Sequence, residues 1–247
     1  MELYLIRHGQ SVNNALMEDQ ILRDKDPELT EVGKEQAKST ADYLATGLNR
    51  EQLIRYSLDV PERQQHHGFN ITHLYCSAMY RALQTAQPIA AAIGLKPEVW
   101  LDIHEHGGIY LKQNEVATGY GGRGRTQIMS EFLDYVLPDK LTEEGWWNPM
   151  DGEESLAKAQ GRAIHVALAL HRRALDPQTA QDRVALVTHG TFLDALIKAL
   201  FNQLPGNGFY HTHYNTAISR IDLSPNEETR IRYLNRIDHL PTHLLTS

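Results

Sequence analysis

The sequence predicts an α/β fold: a three-layer αβα sandwich with a mainly parallel central sheet and an inserted lid-like segment. Three observations lead there. Short apolar runs of strand length recur along the chain, bounded by turn residues. Amphipathic helical stretches alternate with them, the pattern of a layered sheet flanked by helices. The most reactive side chains stand just past the ends of the predicted strands, where open α/β sheets bind their ligands.

Leu3–Ile6 reads as a buried first strand, with Arg7, His8 and Gly9 at its carboxyl end. Thr30 is placed to N-cap a helix running to about Leu44. Residues 47–70 are polar and irregular and read as a surface excursion. Ile71–Cys76 is the second strand. Met79–Ile93 carries Leu83, Ala86, Ile89 and Ile93 at helical spacing and stops at Gly94. Glu98–Leu101 is the third strand. From Gly107 to Gly152 the chain turns Gly-rich and aromatic, and this stretch is expected to form a lid or pocket wall with a short helix at Gln127–Val136. Ser155–Leu175 is a long amphipathic helix, Val184–Val187 the fourth strand and Thr191–Leu200 the helix after it. Ala217–Leu223 and Arg230–Leu234 are two closing strands around Ser224-Pro225-Asn226. All 247 residues are read as one domain carrying the 107–152 insertion.

The net charge of −7 and pI near 6.0 argue against a nucleic-acid binder. They leave room for a small cationic pocket, because the local field governs capture of a small anion. No apolar run is long enough to span a membrane, and Met1–Ile6 lacks the basic start and long apolar stretch of a signal peptide. With one cysteine, Cys76, no internal disulfide can form. A cytoplasmic protein with no membrane partner is expected.

After the first strand come Arg7 and His8, after the second Ser77 and Arg81, after the third Glu105, and after the fourth His189 and Gly190. Two histidines, two arginines and a glutamate suit phosphoryl transfer. Arginine offers planar forks to phosphate oxygens, a neutral imidazole can attack phosphorus covalently, and a carboxylic acid can protonate the leaving alcohol. Nothing in this set requires a metal or a cofactor, and the partner it implies is a small phosphate ester.

Arg7-His8-Gly9-Gln10-Ser11 with Asn14, Ser77-Ala78-Met79-Tyr80-Arg81-Ala82-Leu83-Gln84-Thr85, and Thr188-His189-Gly190 resemble, in order, the three motifs of the histidine phosphatase (phosphoglycerate mutase-like) superfamily. The resemblance implies that His8 is the phosphorylated nucleophile and that Arg7, Arg81 and His189 form the phosphate pocket. Asn14 would line that pocket, and the Gly190 backbone would help orient it. Glu105, in Asp102-Ile103-His104-Glu105-His106-Gly107, falls where the family often places its proton donor, with Asp102 and Glu115 as alternatives. The family's mutases tend to carry a Trp-Asn after the first motif. Here Ser11-Val12-Asn13-Asn14 lacks the tryptophan, which favours a phosphomonoesterase over a mutase-type phosphotransferase. A non-catalytic phospho-ligand binding module would be expected to have lost one of His8, His189, Arg7 or Arg81, and all are present.

Other features have plainer readings. His104/His106 and His211/His213 lack a metal-site framework and are read as structural or surface residues, with His213 or Tyr214 at the pocket border. Gly119-Tyr120-Gly121-Gly122-Arg123-Gly124 matches GxGxxG but opens no βαβ unit, so it is a loop. Cys76 is a buried structural thiol. Trp146 and Trp147 are packing residues. Arg123 and Arg125 could reach a second anionic group of the substrate or be solvated. With Tyr110, Tyr120, Trp146 and Trp147 they would suit a phosphorylated metabolite with some ring character.

Overall fold

The computed structural model describes residues 1–16, 23–49, 67–204, 206, 208–226 and 228–247. A six-stranded sheet runs through it. Its strands are β1 (Glu2–Arg7), β2 (His73–Cys76), β3 (Glu98–Val99), β6 (Arg183–Thr188), β7 (Ile218–Leu223) and β8 (Thr229–Arg236), in the spatial order β3-β2-β6-β1-β7-β8. The first four in that order pair in parallel; β7 and then β8 add antiparallel. Between β3 and β6 the chain forms a separate two-stranded hairpin, β4 (Tyr110–Gln113) and β5 (Val116–Gly119).

Helices cover both faces, which gives the three layers. The period-2 alternation of β1 decides which residue faces which layer. Tyr4 and Ile6 pack with α2 (Glu31–Thr46) and α3 (Tyr80–Ile93) through Ala41, Leu44, Leu83 and Ile89. Leu3 and Leu5 pack on the other side with α5 (Leu156–Leu175) and α6 (Gly190–Leu200) through Val166, Leu170, Leu193 and Leu196. Two short helices, α1 (Val12–Ala15) and α4 (Arg125–Glu131), complete the set. The helix ends follow local chemistry. The Thr30 hydroxyl accepts from Gly33 N–H, Ser155 from Lys158 N–H, and Gly94 closes α3 at φ 69° in the left-handed region. The 47–70 excursion leaves and returns at one point, since Leu48 and His67 bridge; its residues 50–66 lie outside the described residues.

Two element boundaries differ from expectation. Only Glu98 and Val99 of the predicted 98–101 strand pair with β2; the chain then tightens into a 3₁₀ turn at Leu101–Ile103. The expected helix at Gln127–Val136 sits earlier and is shorter, Arg125–Glu131. Val136 N–H donates to Pro97 O and Val136 O accepts from Val99 N–H, so pairing at the sheet edge overrides helix continuation. The insertion is therefore stitched to the sheet edge, and Ile128, Phe132, Tyr135 and Leu141 join the core. The β4–β5 hairpin went unread because its turn uses Asn114 and Glu115, both at positive φ, in place of the Asn-Gly or Asp-Gly pair that announces such turns.

Candidate active site

His8 stands one residue beyond β1. Its N–H donates to Thr188 O at 2.8 Å, which fixes it beside the end of β6. Its Nδ1 lies 2.7 Å from Gly9 O, and Arg81 Nε donates to its Nε2 at 3.1 Å. A carbonyl only accepts, so Nδ1 carries the hydrogen and Nε2 the lone pair. Burial first, then the neighbouring Arg81 and Arg7 charges, hold its pKa well below the ordinary histidine value. His8 is thus a neutral imidazole with a defined nucleophilic nitrogen.

The loop carrying it is clamped. A Cβ on Gly9 would lie 2.5 Å from Gly33 O, and one on Gly33 would lie 2.1 Å from Gln10 O. Glycine at both positions lets α2 approach the loop backbone. Gly9 N–H donates to Thr85 Oγ1 on α3, and Gln10 N–H to Gln36 Oε1 on α2.

Arg81, in the first turn of α3, and Arg7, the last residue of β1, converge beside His8. Arg7 Nη1 donates to His213 O, while its Nε is buried without a partner among the described residues. Gly190 opens α6 and lies against Arg7; a Cβ there would stand 3.4 Å from Nε. His189 is fully buried with its ring 5.0 Å from that of His8. Both of its ring nitrogens lack partners among the described residues, and burial followed by the Arg81 charge lowers its pKa well below the ordinary value. Buried polar atoms in this condition are costly unless a ligand satisfies them. Asn14 Oδ1 accepts from the Ser11 N–H and hydroxyl in a capping box, and this orients its amide at the cavity wall.

Glu105 reaches the N-terminus of α6. Its Oε1 accepts from His106 and Phe192 N–H, both at 2.9 Å, and its Oε2 from Thr191 N–H at 3.2 Å. The loop behind it is held by Arg162 of α5, which donates to Asp102 O and His104 O at 2.8 Å each and pairs with Glu154. Although burial opposes it, the close contact with His104, whose Nε2 lies 3.7 Å away, and the two hydrogen bonds from Arg162 bring the Glu154 pKa down to about 2. Of the alternative acids, Asp102 is exposed behind that loop, and Glu115 is at the exposed hairpin turn beside Lys112. Neither lines the cavity, and Glu105 does.

These side chains surround a cavity of about 240 Å³ that His8, Arg7, Arg81 and Asn14 line from within. His189 and Gly190 are not among its lining residues; they stand against His8 and Arg7. From the 107–152 segment Gly108, Tyr110, Leu111 and Lys112 line the wall; Tyr120, Arg123 and Arg125 do not, which corrects the suggestion that they meet the substrate, and the two tryptophans pack as expected. Trp146 and Trp147 pack on His104, and Trp147 Nε1 donates to Gly152 O. Arg123 covers the Tyr80 ring and pairs with Glu131, and Arg125 binds the Leu137 and Pro138 carbonyls. Gly121 and Gly122 press against Glu144 O and the Trp146 ring, so the GxGxxG stretch is a close-packed loop. His211 pairs with Asp194, and His213 bonds Ser219 and His211 O. Among the described residues no group of three or more His, Cys, Asp or Glu side chains is arranged to hold a metal ion. Cys76 is buried, which pushes its thiol pKa up.

Sequence reasoning missed Arg162, Arg23 and Lys25, which no motif marks. It also missed Asp26, whose Oδ1 accepts from Tyr80 N–H at the start of α3.

A neutral buried histidine between two arginines at the carboxyl end of a parallel sheet has the chemistry that phosphoryl transfer through a phosphohistidine needs. Residues 3–57 and 60–236 match the histidine phosphatase superfamily (branch 1), and the chain belongs to it. Its family and fold are those of phosphatases and mutases that act on small phosphorylated metabolites through a catalytic histidine. No curated protein matches it. Solved structures share its fold. A phosphoserine phosphatase mutant from Entamoeba histolytica in complex with phosphoserine is 21% identical, with TM-score 0.58 over 97% of this chain and 99% of that one. A mycobacterial glucosyl-3-phosphoglycerate phosphatase is 23% identical, with TM-score 0.53 over 96% and 99%. The ecdysone phosphate phosphatase from Bombix mori is 14% identical, with TM-score 0.63 over 98% and 95%.

Proposed function

We propose that the protein is a phosphomonoesterase that works through a phosphohistidine on His8. The observation that carries this reading is the Nε2 lone pair of a buried neutral imidazole, aimed at the Arg81 guanidinium. In the first step Nε2 attacks phosphorus, the ester P–O bond breaks, and Glu105 gives its proton to the departing alcohol. As the phosphoryl group enters, Arg81 Nε–H turns from Nε2 to a phosphoryl oxygen. Arg7, His189 and the Asn14 amide donate to the others, which stabilises the charge spread over them. In the second step the Glu105 carboxylate takes a proton from water, the hydroxide attacks phosphorus, and the P–N bond breaks to return neutral His8 and inorganic phosphate.

Water rather than a second sugar-acid hydroxyl is favoured as acceptor because the segment after the first motif lacks the mutase-type tryptophan. Incubation with 3-phosphoglycerate separates the two: inorganic phosphate should accumulate, and predominant isomer formation would assign a mutase instead. We infer a cytoplasmic setting from the free, buried thiol of Cys76, the chain's one cysteine; among the described residues no helix is long and apolar enough to cross a membrane.

A further inference from the structure

We propose that the substrate carries a second anionic group, a carboxylate or a second phosphate, held at the cavity mouth by Arg23, Lys25 and Lys112. The inference rests on the phosphatase reading and narrows its substrate class. Five cations line the cavity, Arg7, Arg23, Lys25, Arg81 and Lys112, against two carboxylates, Asp24 and Glu105. In a chain of net charge −7 this concentration is local, not background. One phosphoryl group is matched by the inner pair, Arg7 and Arg81. Arg81 is held against His8, and the catalytic geometry keeps both guanidinia at the deep end.

The outer three come from two separate segments, the loop before α2 and strand β4, and face the same space. Arg23 is near enough to depress the Arg81 pKa, behind the larger effect of burial, and it also acts on Tyr110 of the hairpin. It therefore bridges the deep end and the mouth. Lys25 has its Nζ 4.4 Å over the Tyr120 ring, an interaction with the ring face that does not neutralise its charge. Among the described residues Lys112 pairs with Glu115 at 3.3 Å on an exposed turn, a contact of the weak, solvent-screened kind that a substrate anion can displace. The two carboxylates offset part of this field, Glu105 acting on both Arg7 and Arg81 at the deep end, and three cations remain in excess. A cavity of about 240 Å³ lies below the range of drug-sized sites. The ligand is thus a compact, metabolite-sized molecule carrying both anions.

The test compares matched esters on the intact protein and on the variant Arg23→Gln/Lys25→Gln/Lys112→Gln. Glycerol 3-phosphate and 3-phosphoglycerate differ in one hydroxymethyl against one carboxylate; fructose 6-phosphate and fructose 1,6-bisphosphate probe a second phosphate. The wild type should prefer a doubly anionic member by tenfold or more in kcat/KM. Whichever pair shows the preference identifies the second group. The triple variant should lose that preference, mainly through KM, with a drop at least tenfold larger than its drop on p-nitrophenyl phosphate. An equal drop on all esters would mean general electrostatic steering and would overturn the subsite, as would no preference in the wild type. Failure of the wild type to hydrolyse p-nitrophenyl phosphate would instead strike the phosphatase reading. In that event calorimetric binding within each of the two ester pairs decides the subsite without turnover: equal affinities within both pairs overturn it. A thermal melt of the triple variant checks its fold, and Lys112→Gln alone, on an exposed turn, repeats the comparison with the least disturbance.

Discussion

Replacing Gly9 by alanine tests whether the tight seat of the nucleophile loop matters. The new Cβ would lie 2.5 Å from Gly33 O, 3.1 Å from its carbonyl carbon and 3.2 Å from its Cα. Carbon contacts are comfortable at about 3.5 Å or more, so loop and helix must separate by about 1 Å. All three neighbours are backbone of α2, anchored by the Thr30 cap and by the Gln36 bond to Gln10, so no side chain can swing aside. Overpacking of this kind costs about 1–3 kcal/mol. A misplacement of about 1 Å at a catalytic group costs on the order of 100-fold in turnover. The expected result is an unfolding free energy in urea lowered by that amount, together with a kcat/KM on p-nitrophenyl phosphate reduced about 100-fold. Gly33→Ala, at 2.1 Å from Gln10 O, should behave alike. A Gly9→Ala protein within about 0.5 kcal/mol of wild-type stability and with unchanged turnover would refute the close-approach argument.

Three further outcomes follow from the site. Arg81→Ala removes the donor facing His8 Nε2 and should lower kcat/KM by about 100- to 1000-fold, measured on any ester the wild type turns over; a loss under tenfold would contradict its role. Glu105→Gln keeps the shape but removes the proton, so alkyl phosphates with poor leaving groups should slow by at least about 100-fold while aryl phosphates slow much less; equal slowing would reject the acid assignment. Stability should fall on acidification: burial lowers the His213 and His239 pKa values from 6.5 to about 4, so below pH 6.5 the unfolded chain takes up protons that the folded chain refuses. Stability is therefore full above pH 6.5 and declines as pH drops toward 4, by about 2–3 kcal/mol for each group at pH 4.5. Urea midpoints that stay flat between pH 7 and 4.5 would contradict this.

The residues at the strand ends were legible because sheet topology fixes where they meet. Once β1, β2 and β6 are parallel neighbours, Arg7, His8, Arg81 and His189 share one edge whatever lies between them. Residues that enter by loop geometry carry no periodic signal. Arg23 and Lys25 reach the cavity by a turn in which Asp26 caps α3. Lys112 arrives on a hairpin whose Asn114-Glu115 turn is written in left-handed torsions rather than glycine. Trp146 and Trp147 were legible as packing residues, and they pack around His104. Arg162 looked like one more polar residue of an amphipathic helix, yet it supports the Glu105 loop through two carbonyls sixty and fifty-eight residues away in sequence.

The central claim is that phosphate passes through His8 Nε2. Rapid quenching of enzyme mixed with a ³²P-labelled ester tests it most directly. The wild type should carry acid-labile, base-stable label on His8, at up to one phosphate per chain, and His8→Ala should carry none and turn over no substrate. Label persisting in His8→Ala, or normal turnover by that variant, would contradict the account.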